Sequence, residues 1–373
     1  MNGIRTRVVV AALLCVPVVI AAESRAKNVI LFIADAGGIP AINAASLHGY
    51  GAPRKLFVQR MPNIALSETS AIPHFVTDSA AGMTAIVTGE KTRNGFLAQS
   101  ASGTRGKQDG APLKTILEHA EERGLATGLI TNDALSGATP AALYAKANDR
   151  ASTAVIFVQA FSPRFGDGVD VMIGAGRPAI AKALAATGGS LDALAAEKGR
   201  PFLSALADVP ADATRAIVLH DTADFDLAQA VQIAHRMLSR SKKGYFLMVE
   251  WDTHTDNLRR GLDRMVTLDR AIEQTAQLAG KDTLLLFTAD HSFDLRVRGG
   301  QTGTALLEGL EEAQAKAIEE KRRDIRIPAV RMDNGHTGEE VLVAAQGPGA
   351  TRVRGYMANT DLFKVMMAAF RWN

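Results

Sequence analysis

Three short apolar segments that each end in acidic residues constrain the fold of this chain most strongly. They are NVILFIA at residues 28–34, YFLMV at 245–249 and TLLLFT at 283–288, and acidic residues follow each of them: Asp35, Glu250 and Asp290. Continuous apolar runs of this length are typical of parallel strands that are buried on both faces. The carboxyl ends of such strands form the edge where open α/β sheets place their sites. The sequence therefore predicts a parallel sheet with an acidic site at one edge.

The segments between these runs predict the other layers of an α/β fold. Further strands are predicted at residues 125–131, 169–173, 216–219 and 341–345. Apolar residues at helical spacing predict helices at 112–123, 227–238 and around 262–272, a helix after Ser136 that carries Arg150, and a closing helix capped by residues 359–361. Helix then strand is the βαβ rhythm of a doubly wound sheet. We expect a central, mostly parallel sheet with helices on both faces, in a three-layer sandwich.

The amino terminus has the layout of a secretory signal peptide. Residues 1–22 contain two arginines, then an apolar run that is too short for a membrane span, then a pair of alanines. We expect residues 23–373 to be exported, to the periplasm or the medium, as a single domain without a membrane anchor. The only cysteine, Cys15, lies in the leader. The exported protein would thus have no thiol for a disulfide or a metal.

The charge balance argues against a nucleic acid as a specific partner. Removing the two arginines of the leader lowers the formal net charge from +3 to +1. A surface that binds a polyanion would require a much larger basic excess.

Ser79 lies where an apolar lead-in meets a run of small residues, in the segment VTDSAAGMTA at 76–85. This position predicts the N-terminus of a helix, where free N–H groups and the helix dipole favour an anion. Ser79 could therefore be a nucleophile that attacks a phosphate. The alternative is that Ser79 only caps the helix.

Several other polar residues cluster at strand ends or turns and could bind metal ions. They are Asp35, Thr139, Glu250, Asp252, His254, Asp256, Asp290, His291 and His336. Carboxylate and imidazole ligands without thiolate suit zinc, and the oxygen-rich positions suit magnesium. Two such ions could clamp the attacking and departing oxygens of a phosphoryl transfer. Arg150 could hold two phosphate oxygens with its planar guanidinium.

Collected, these segments resemble the alkaline phosphatase family over nearly all of residues 23–373. The matching pieces are NVILFIAD (28–35), VTDSAAGMTAIVTG (76–89), ATPAALYA (138–145) with Arg150, FLMVE (246–250), TLLLFTADHS (283–292) and HTGEEV (336–341).

The resemblance implies hydrolysis of small phosphate monoesters through a phosphorylated Ser79, with Arg150 binding the phosphate. It implies two zinc sites and a third, magnesium-like site. One zinc site would use Asp35, Asp290, His291 and Ser79, and the second His254 and His336. The third site would involve Asp35 and Thr139. Because charge would build on oxygens bound to these ions, we expect an alkaline pH optimum.

The first departure from the family pattern is Gly137, which stands where the family usually has Asp or His before Ala-Thr-Pro. This glycine removes a partner of the third metal site, so we expect that site to bind its ion more weakly.

The second departure is a shorter segment after FLMVE, which leaves two alignments open. Counting back from 268–270 places Glu250 on the family aspartate, and a helical turn would then put Glu250 and His254 on one face. Counting forward from the strand makes Glu250 the magnesium ligand and joins Asp252 to His254. We expect all three residues to contact metal.

Three other functions remain open from the sequence. A metal-dependent phosphodiesterase or sulfatase can use the same fold, since a fold alone does not determine which ester is cleaved. Arg150 argues against a diester, which offers less charge to a guanidinium. A non-catalytic phosphate- or metal-binding protein and a plain structural domain are the other two alternatives. The sequence leaves the oligomeric state open, with a homodimer as one option.

Overall fold

The computed structural model of the protein describes residues 24–372, in which strands and helices alternate along most of the chain. The strands are β1 (Asn28–Asp35), β2 (Asn63–Ser67), β3 (Ala126–Ala134), β4 (Val171–Ala175), β5 (Phe202–Leu203), β6 (Ala216–Leu219), β7 (Tyr245–Asp252), β8 (Thr283–Thr288), β9 (Ser292–Phe293), β10 (Arg296–Val297), β11 (Ile325–Arg326), β12 (Val330–Met332), β13 (His336–Thr337), β14 (Val341–Gln346) and β15 (Gly355–Met357).

The helices of the same residues are α1 (Ile39–Tyr50), α2 (Ser79–Thr88), α3 (Ile116–Glu122), α4 (Ala138–Tyr144), α5 (Thr153–Gln159), α6 (Arg177–Ala186), α7 (Leu191–Lys198), α8 (Leu227–Leu238), α9 (Leu258–Leu278), α10 (Leu310–Glu319) and α11 (Asp361–Phe370). The leader predicted at residues 1–22 lies outside the described part of the chain. Within that part, no helix is both long and apolar enough to cross a membrane.

The central sheet has ten strands in the order β15-β2-β14-β8-β1-β7-β3-β4-β6-β5. Neighbouring strands are parallel, except that β14 runs antiparallel to both β8 and β2. The predicted fold class is therefore confirmed. β1, β7 and β8 are adjacent, so the three apolar segments that open the sequence argument form the centre of this sheet.

Both faces of the sheet are covered by apolar packing, which explains why the central strands are continuously apolar. Along β1, Val29, Leu31 and Ile33 belong to one apolar cluster, and the residues between them belong to another. The first cluster includes side chains of α2 to α7 and α11, and the second includes side chains of α1, α8, α9 and α10. Each fully buried Leu, Ile or Phe contributes about 1.5–3 kcal/mol relative to an exposed one. Burial on both faces thus holds the strand ends of the site in place.

Two predicted helix boundaries and one predicted helix cap are wrong in an informative way. The helix predicted at 112–123 begins only at Ile116, because Thr115 caps it and forms a reciprocal capping box with Glu118. The helix predicted to carry Arg150 ends at Tyr144. The closing helix has no side-chain cap from Thr360.

Two small sheets extend the molecule beyond the central one. β10, β12 and β11 form an antiparallel three-stranded sheet, and β9 pairs with β13 through two residue pairs. β9 begins directly after His291 and β13 begins at His336. This pairing brings the carboxyl-terminal part of the chain to the end of β8.

Candidate active site

The polar residues that follow β1, β7 and β8 meet at one edge of the sheet. In the parallel register of β1 and β7, Ile33 lies opposite Glu250 and Asp35 opposite Asp252. β8 lies on the other side of β1, and Asp290 and His291 follow its last residue directly after Ala289. Because the carboxyl ends of parallel strands form one edge of the sheet, these acids lie together, as expected from the sequence.

Ser79 is the first residue of α2, and the residue before it caps the helix. The carboxylate of Asp78 accepts hydrogen bonds from the N–H groups of Ala81 (3.0 Å) and Gly95 (2.9 Å). Because Asp78 supplies the cap, the hydroxyl of Ser79 is not needed for it. The Ser79 Oγ instead lies 3.2 Å from Nε2 of His291, in a site where Ser79 is only 4 % exposed.

Arg150 lies in the turn between α4 and α5 and is held beside Ser79 by the same capping residue. Its Nη1 donates to Asp78 Oδ2 at 3.2 Å, and its backbone N–H donates to the carbonyl of Gly95 at 2.8 Å. Asp78 thus orders both the start of α2 and the guanidinium. The sequence analysis did not select Asp78, although an Asp directly before a helix start is the usual signal for a cap.

Asp35, Asp290 and His291 form a buried group whose potential ligand atoms all lie within 4.8 Å of one another. His291 Nε2 is 3.3 Å from Asp35 Oδ1 and 3.5 Å from Asp290 Oδ2. Burial would raise the pKa of Asp35, but the imidazole of His291, 3.3 Å away, and the charge of His254 hold it well below its usual range. Burial and the charge of Asp35 raise the pKa of Asp290 to about 6. With Ser79 beside His291, this is the ligand set of the first predicted metal site.

His254, His291 and His336 form a second group of potential ligand atoms within 4.8 Å of one another. The rings of His291 and His336 stack with centroids 3.8 Å apart, and the ring of His254 is 5.6 Å from each. Burial and the charge of His291 lower the pKa of His336 to about 4. Burial would lower the pKa of His254, but the hydrogen bond to Asp252 and the charge of Asp35 raise it to about 9.

The segment after β7 is not helical, so the argument that a helical turn places Glu250 and His254 on one face is wrong. Glu250 lies inside β7, and its Oε2 accepts a hydrogen bond from the hydroxyl of Thr131. Asp252 Oδ1 lies 2.8 Å from His254 Nδ1 and accepts from the backbone N–H of His254 at 3.0 Å. Asp256 is exposed and belongs to neither ligand group. This geometry favours the count that joins Asp252 to His254.

Four buried oxygens in the described site have no hydrogen-bond partner: Asp35 Oδ1, Thr139 Oγ1, Glu250 Oε1 and Asp290 Oδ2. A buried polar atom without a partner costs about 1–3 kcal/mol, more if charged. Burial and the charges of Asp35 and Asp133 also raise the pKa of Glu250 well above its usual range. Unpartnered oxygens among like charges are what cation binding would satisfy, so these residues fit metal ions.

The end of β3 is a fourth polar strand end that the sequence analysis missed. β3 continues to Ala134, three residues beyond its predicted end, and thereby brings Asn132 and Asp133 to the site. Asn132 Oδ1 accepts from the backbone N–H of Asp252 at 2.7 Å. The signal was present, because Thr-Asn-Asp follows the apolar residues of this strand as acids follow the other strands.

The position of Asp133 at the rim of the site leaves it exposed. Its pKa is nevertheless raised, first by loss of water around the carboxylate and then by the charges of Asp35 and Asp252, against a hydrogen bond from Ala134. Asp133 therefore belongs electrostatically to the same acidic cluster.

A sequence model of the alkaline phosphatase family matches residues 26–180 and 206–322. This chain belongs to the alkaline phosphatase family. The match includes the ends of β1, β3, β7 and β8 and the serine segment, and it stops before His336.

Curated relatives agree with this membership, and solved structures share the fold. Streptomycin-6-phosphate phosphatase from Streptomyces griseus is 29% identical over 92% of this chain and 90% of its own length. Alkaline phosphatase from Escherichia coli is 28% identical over 93% of this chain and 86% of its own. The structure of Thermus thermophilus alkaline phosphatase superposes with a TM-score of 0.75 at 23% identity, over 94% of this chain and 92% of its own. The alkaline phosphatase from the Antarctic bacterium TAB5 gives 0.74 at 22% identity, over 94% and 99%.

Proposed function

We propose that this member of the alkaline phosphatase family hydrolyses small phosphate monoesters, with Ser79 as the nucleophile. The observation that carries the proposal is the position of the Ser79 hydroxyl. It lies at the N-terminus of α2, 3.2 Å from His291 in the buried acid–imidazole group, with Arg150 anchored beside it through Asp78. A nucleophile, an anion-binding helix end and a guanidinium therefore converge on one point.

Three metal sites fit the described residues. Asp35, Asp290 and His291 with Ser79 would hold one ion, His254 and His336 a second beside it, and Asp35, Thr139 and Glu250 a third. The imidazole-containing sites suit zinc, and the all-oxygen site suits magnesium. When bound, the ions supply positive charge that lowers the pKa of the serine hydroxyl and stabilises the oxygens that become negative.

Arg150 and the N–H groups at the start of α2 would bind the phosphate and orient it for attack. Ser79 Oγ then forms a bond to phosphorus as the ester P–O bond breaks, and the alcohol leaves with a proton. Water attacks the phosphoserine in the second step, which releases inorganic phosphate and restores the serine hydroxyl. Asp78 contributes by holding Arg150 in place rather than by touching the substrate.

The first test compares p-nitrophenyl phosphate with bis-p-nitrophenyl phosphate, using protein stripped of metal and refilled with zinc and magnesium. We expect the monoester to be preferred strongly, and turnover to be lost both on stripping and in Ser79→Ala. Ser102→Ala, at an exposed serine, is the matched control and should keep full activity. Acid quenching followed by mass spectrometry should place a phosphate on Ser79.

The other outcomes of this test separate the alternatives. Preference for the diester would assign the site to a phosphodiesterase and leave Arg150 without its proposed role. If neither substrate turns over although metal ions are bound, a phosphate- or metal-binding protein becomes the better description. Export with removal of residues 1–22 and assembly into a homodimer stay predictions, which N-terminal sequencing of the exported protein and light scattering would test.

A further inference from the structure

Gly137 leaves the N-terminus of α4 without a side chain, next to the proposed magnesium site. It is the N-cap residue of α4, and Thr139 lies in the first turn of that helix. The sequence comparison predicted a weakened site here, because the family usually has Asp or His at this position. The structure shows what occupies the space instead.

The carboxylate of Asp133 fills the volume that a side chain at Gly137 would occupy. A Cβ atom built on Gly137 would lie 2.4 Å from Asp133 Oδ2, 2.8 Å from the backbone oxygen of Ala134 and 3.1 Å from Asp133 Cγ. Non-bonded atoms cannot approach so closely, so a side chain at 137 would require Asp133 and the Ala134 carbonyl to move. The present position of the Asp133 carboxylate thus depends on the absence of a side chain at 137, and it places a polar group beside the start of α4.

Asp133 is connected to the proposed magnesium ligands through one hydroxyl. Thr131 Oγ1 accepts from the backbone N–H of Asp133 at 2.9 Å and donates to Oε2 of Glu250. The pairing of β3 with β4 changes register between Ile130 and Ala134, so the chain leaves the regular strand path where Asp133 lies. This irregularity, rather than sequence spacing, brings the acid to α4.

Two buried oxygens without a partner lie close to Asp133, one on Thr139, two residues after Gly137, and one on Glu250, on which the charge of Asp133 acts. Thr139 and Glu250 are 1 % and 0 % exposed, and Thr139 Oγ1 and Glu250 Oε1 make no hydrogen bond in the described structure. With Asp35 and Asp133 they form a concentration of negative charge and free lone pairs. Such an arrangement suits a hard cation with oxygen ligands.

We propose that Asp133 takes over the role of the residue missing at position 137, as the additional carboxylate of the magnesium site formed by Asp35, Thr139 and Glu250. Because Mg²⁺ retains several water ligands and Asp133 is exposed at the rim, Asp133 acts on the hydrated side of the ion. The third site therefore keeps its affinity despite Gly137. This inference rests on the third site of the proposed function.

The experiment titrates magnesium into metal-stripped protein that has been refilled with zinc, followed by isothermal calorimetry and by metal analysis after dialysis. Asp133→Asn keeps the shape of the side chain and removes its charge. We expect it to weaken magnesium binding about 10- to 100-fold, as loss of such supporting groups does, with the zinc content unchanged. Asp192→Asn, at an exposed acid of α7, is the control and should bind magnesium like the unmodified protein.

A second variant tests the exchange of positions directly. In Asp133→Ala combined with Gly137→Asp, the carboxylate moves to the usual family position, and magnesium affinity should return to within a few-fold of the original. Asp133→Ala alone should remain weak. Equal magnesium affinity in Asp133→Asn and the unmodified protein would overturn the inference. Because a Cβ at 137 also lies 2.8 Å from the Ala134 oxygen, Asp133→Ala combined with Gly137→Ala is the control for the double variant. If this control is as stable as Asp133→Ala alone and the double variant still fails to regain affinity, the inference is overturned as well.

Failure of this inference can be distinguished from failure of the proposed function. The magnesium titration reads binding and needs no substrate, whereas the function is read from Ser79→Ala and ester hydrolysis. If the protein is active and its magnesium affinity is the same in Asp133→Asn, only the role of Asp133 is disproved. An inactive protein that loses magnesium in Asp133→Asn would disprove only the hydrolase.

Discussion

Gly82 offers a test of how closely the serine helix must approach the end of β8. It lies one helical turn after Ser79, and a Cβ atom at Gly82 would come within 2.6 Å of the backbone oxygen of Asp290. A backbone oxygen cannot rotate away as a side chain can. To reach an ordinary contact of about 3.4 Å, α2 and the end of β8 would have to separate by roughly 0.8 Å in Gly82→Ala.

This displacement acts between the two elements that hold the nucleophile and its neighbour. Ser79 Oγ and His291 Nε2 are 3.2 Å apart, so the same separation would take them beyond hydrogen-bond distance. A misplacement of about 1 Å can reduce the rate on the order of 100-fold. Alanine favours a helix over glycine by about 1 kcal/mol, but overpacking costs about 1–3 kcal/mol, so we expect a small net loss of stability.

The assay is kcat/KM on p-nitrophenyl phosphate with zinc and magnesium present, together with the thermal midpoint. We expect Gly82→Ala to lose roughly 100-fold in kcat/KM. The control is Ala85→Gly in the same helix, which lowers helix stability by about 1 kcal/mol without touching Asp290 and should stay active. A Gly82→Ala protein that is more stable and equally active would refute the steric argument.

Three further predictions concern charge. Asp78→Asn keeps one oxygen to cap α2 but replaces Oδ2, which accepts from Arg150 and from the N–H of Gly95. It should raise KM for p-nitrophenyl phosphate by up to roughly tenfold and lower the thermal midpoint; an unchanged KM would count against it. Chelation should lower the thermal midpoint more at pH 8 than at pH 5. In the metal-free protein the pKa values of Asp290 (about 6) and His254 (about 9) are raised, so the stability that these groups contribute is present at low pH and lost as pH rises through those values. Calorimetry that shows the same difference in thermal midpoint between metal-bound and metal-free protein at both pH values would contradict this. Burial and nearby cations lower the pKa of His119 to about 4, so its stabilisation is present above its ordinary 6.5 and lost as pH falls towards 4. His119→Gln should therefore lose less stability than the unmodified protein between pH 7 and 5, measured as the shift of the urea midpoint.

The central sheet could be predicted because its strands are buried on both faces. β8 and β6 have the predicted bounds, β1 is longer by Asp35, and β7 is longer by Glu250, Trp251 and Asp252. β7 continues to Asp252 because its backbone still pairs with β1 there. A strand that is buried on both faces requires a continuous apolar run, which is visible in the sequence. How far the strand continues beyond that run depends on pairing with the neighbouring strand.

Short elements could not be predicted in the same way. β9, β10, β11 and β13 have two residues each, too few to show a period, and they pair only because distant segments are brought together. The turn after β7 was ambiguous for the same reason, since spacing alone cannot show whether five residues form a helical turn.

The residue types of the site could be selected from the sequence, but not their neighbours. Asp35, Asp290 and His291 could be selected because they come at the carboxyl ends of buried apolar strands. The prediction does not include Asp78, because an Asp before a helix start has the pattern of a simple cap. It does not include Asp133, because the apolar residues of β3 end before Thr131 and the irregular end of the strand depends on its neighbours. Neither the anchoring of Arg150 nor the exchange between Asp133 and Gly137 can be read from spacing, because both depend on contacts across the fold.

The short pairing of β9 with β13 has a consequence for how the carboxyl-terminal segment is held. His291 directly precedes one strand and His336 opens the other, about 45 residues later in the chain. The proposed sites place His291 and His336 on different ions, and His336 shares its ion with His254. That ion would cross-link β13 to the segment after β7 and close a loop of about 80 residues. A covalent link across a loop of about 80 residues removes chain entropy worth about 4.5 kcal/mol from the unfolded state. In a chain without cysteine after residue 22, metal ligation would thus provide the cross-link that disulfides provide in many secreted proteins.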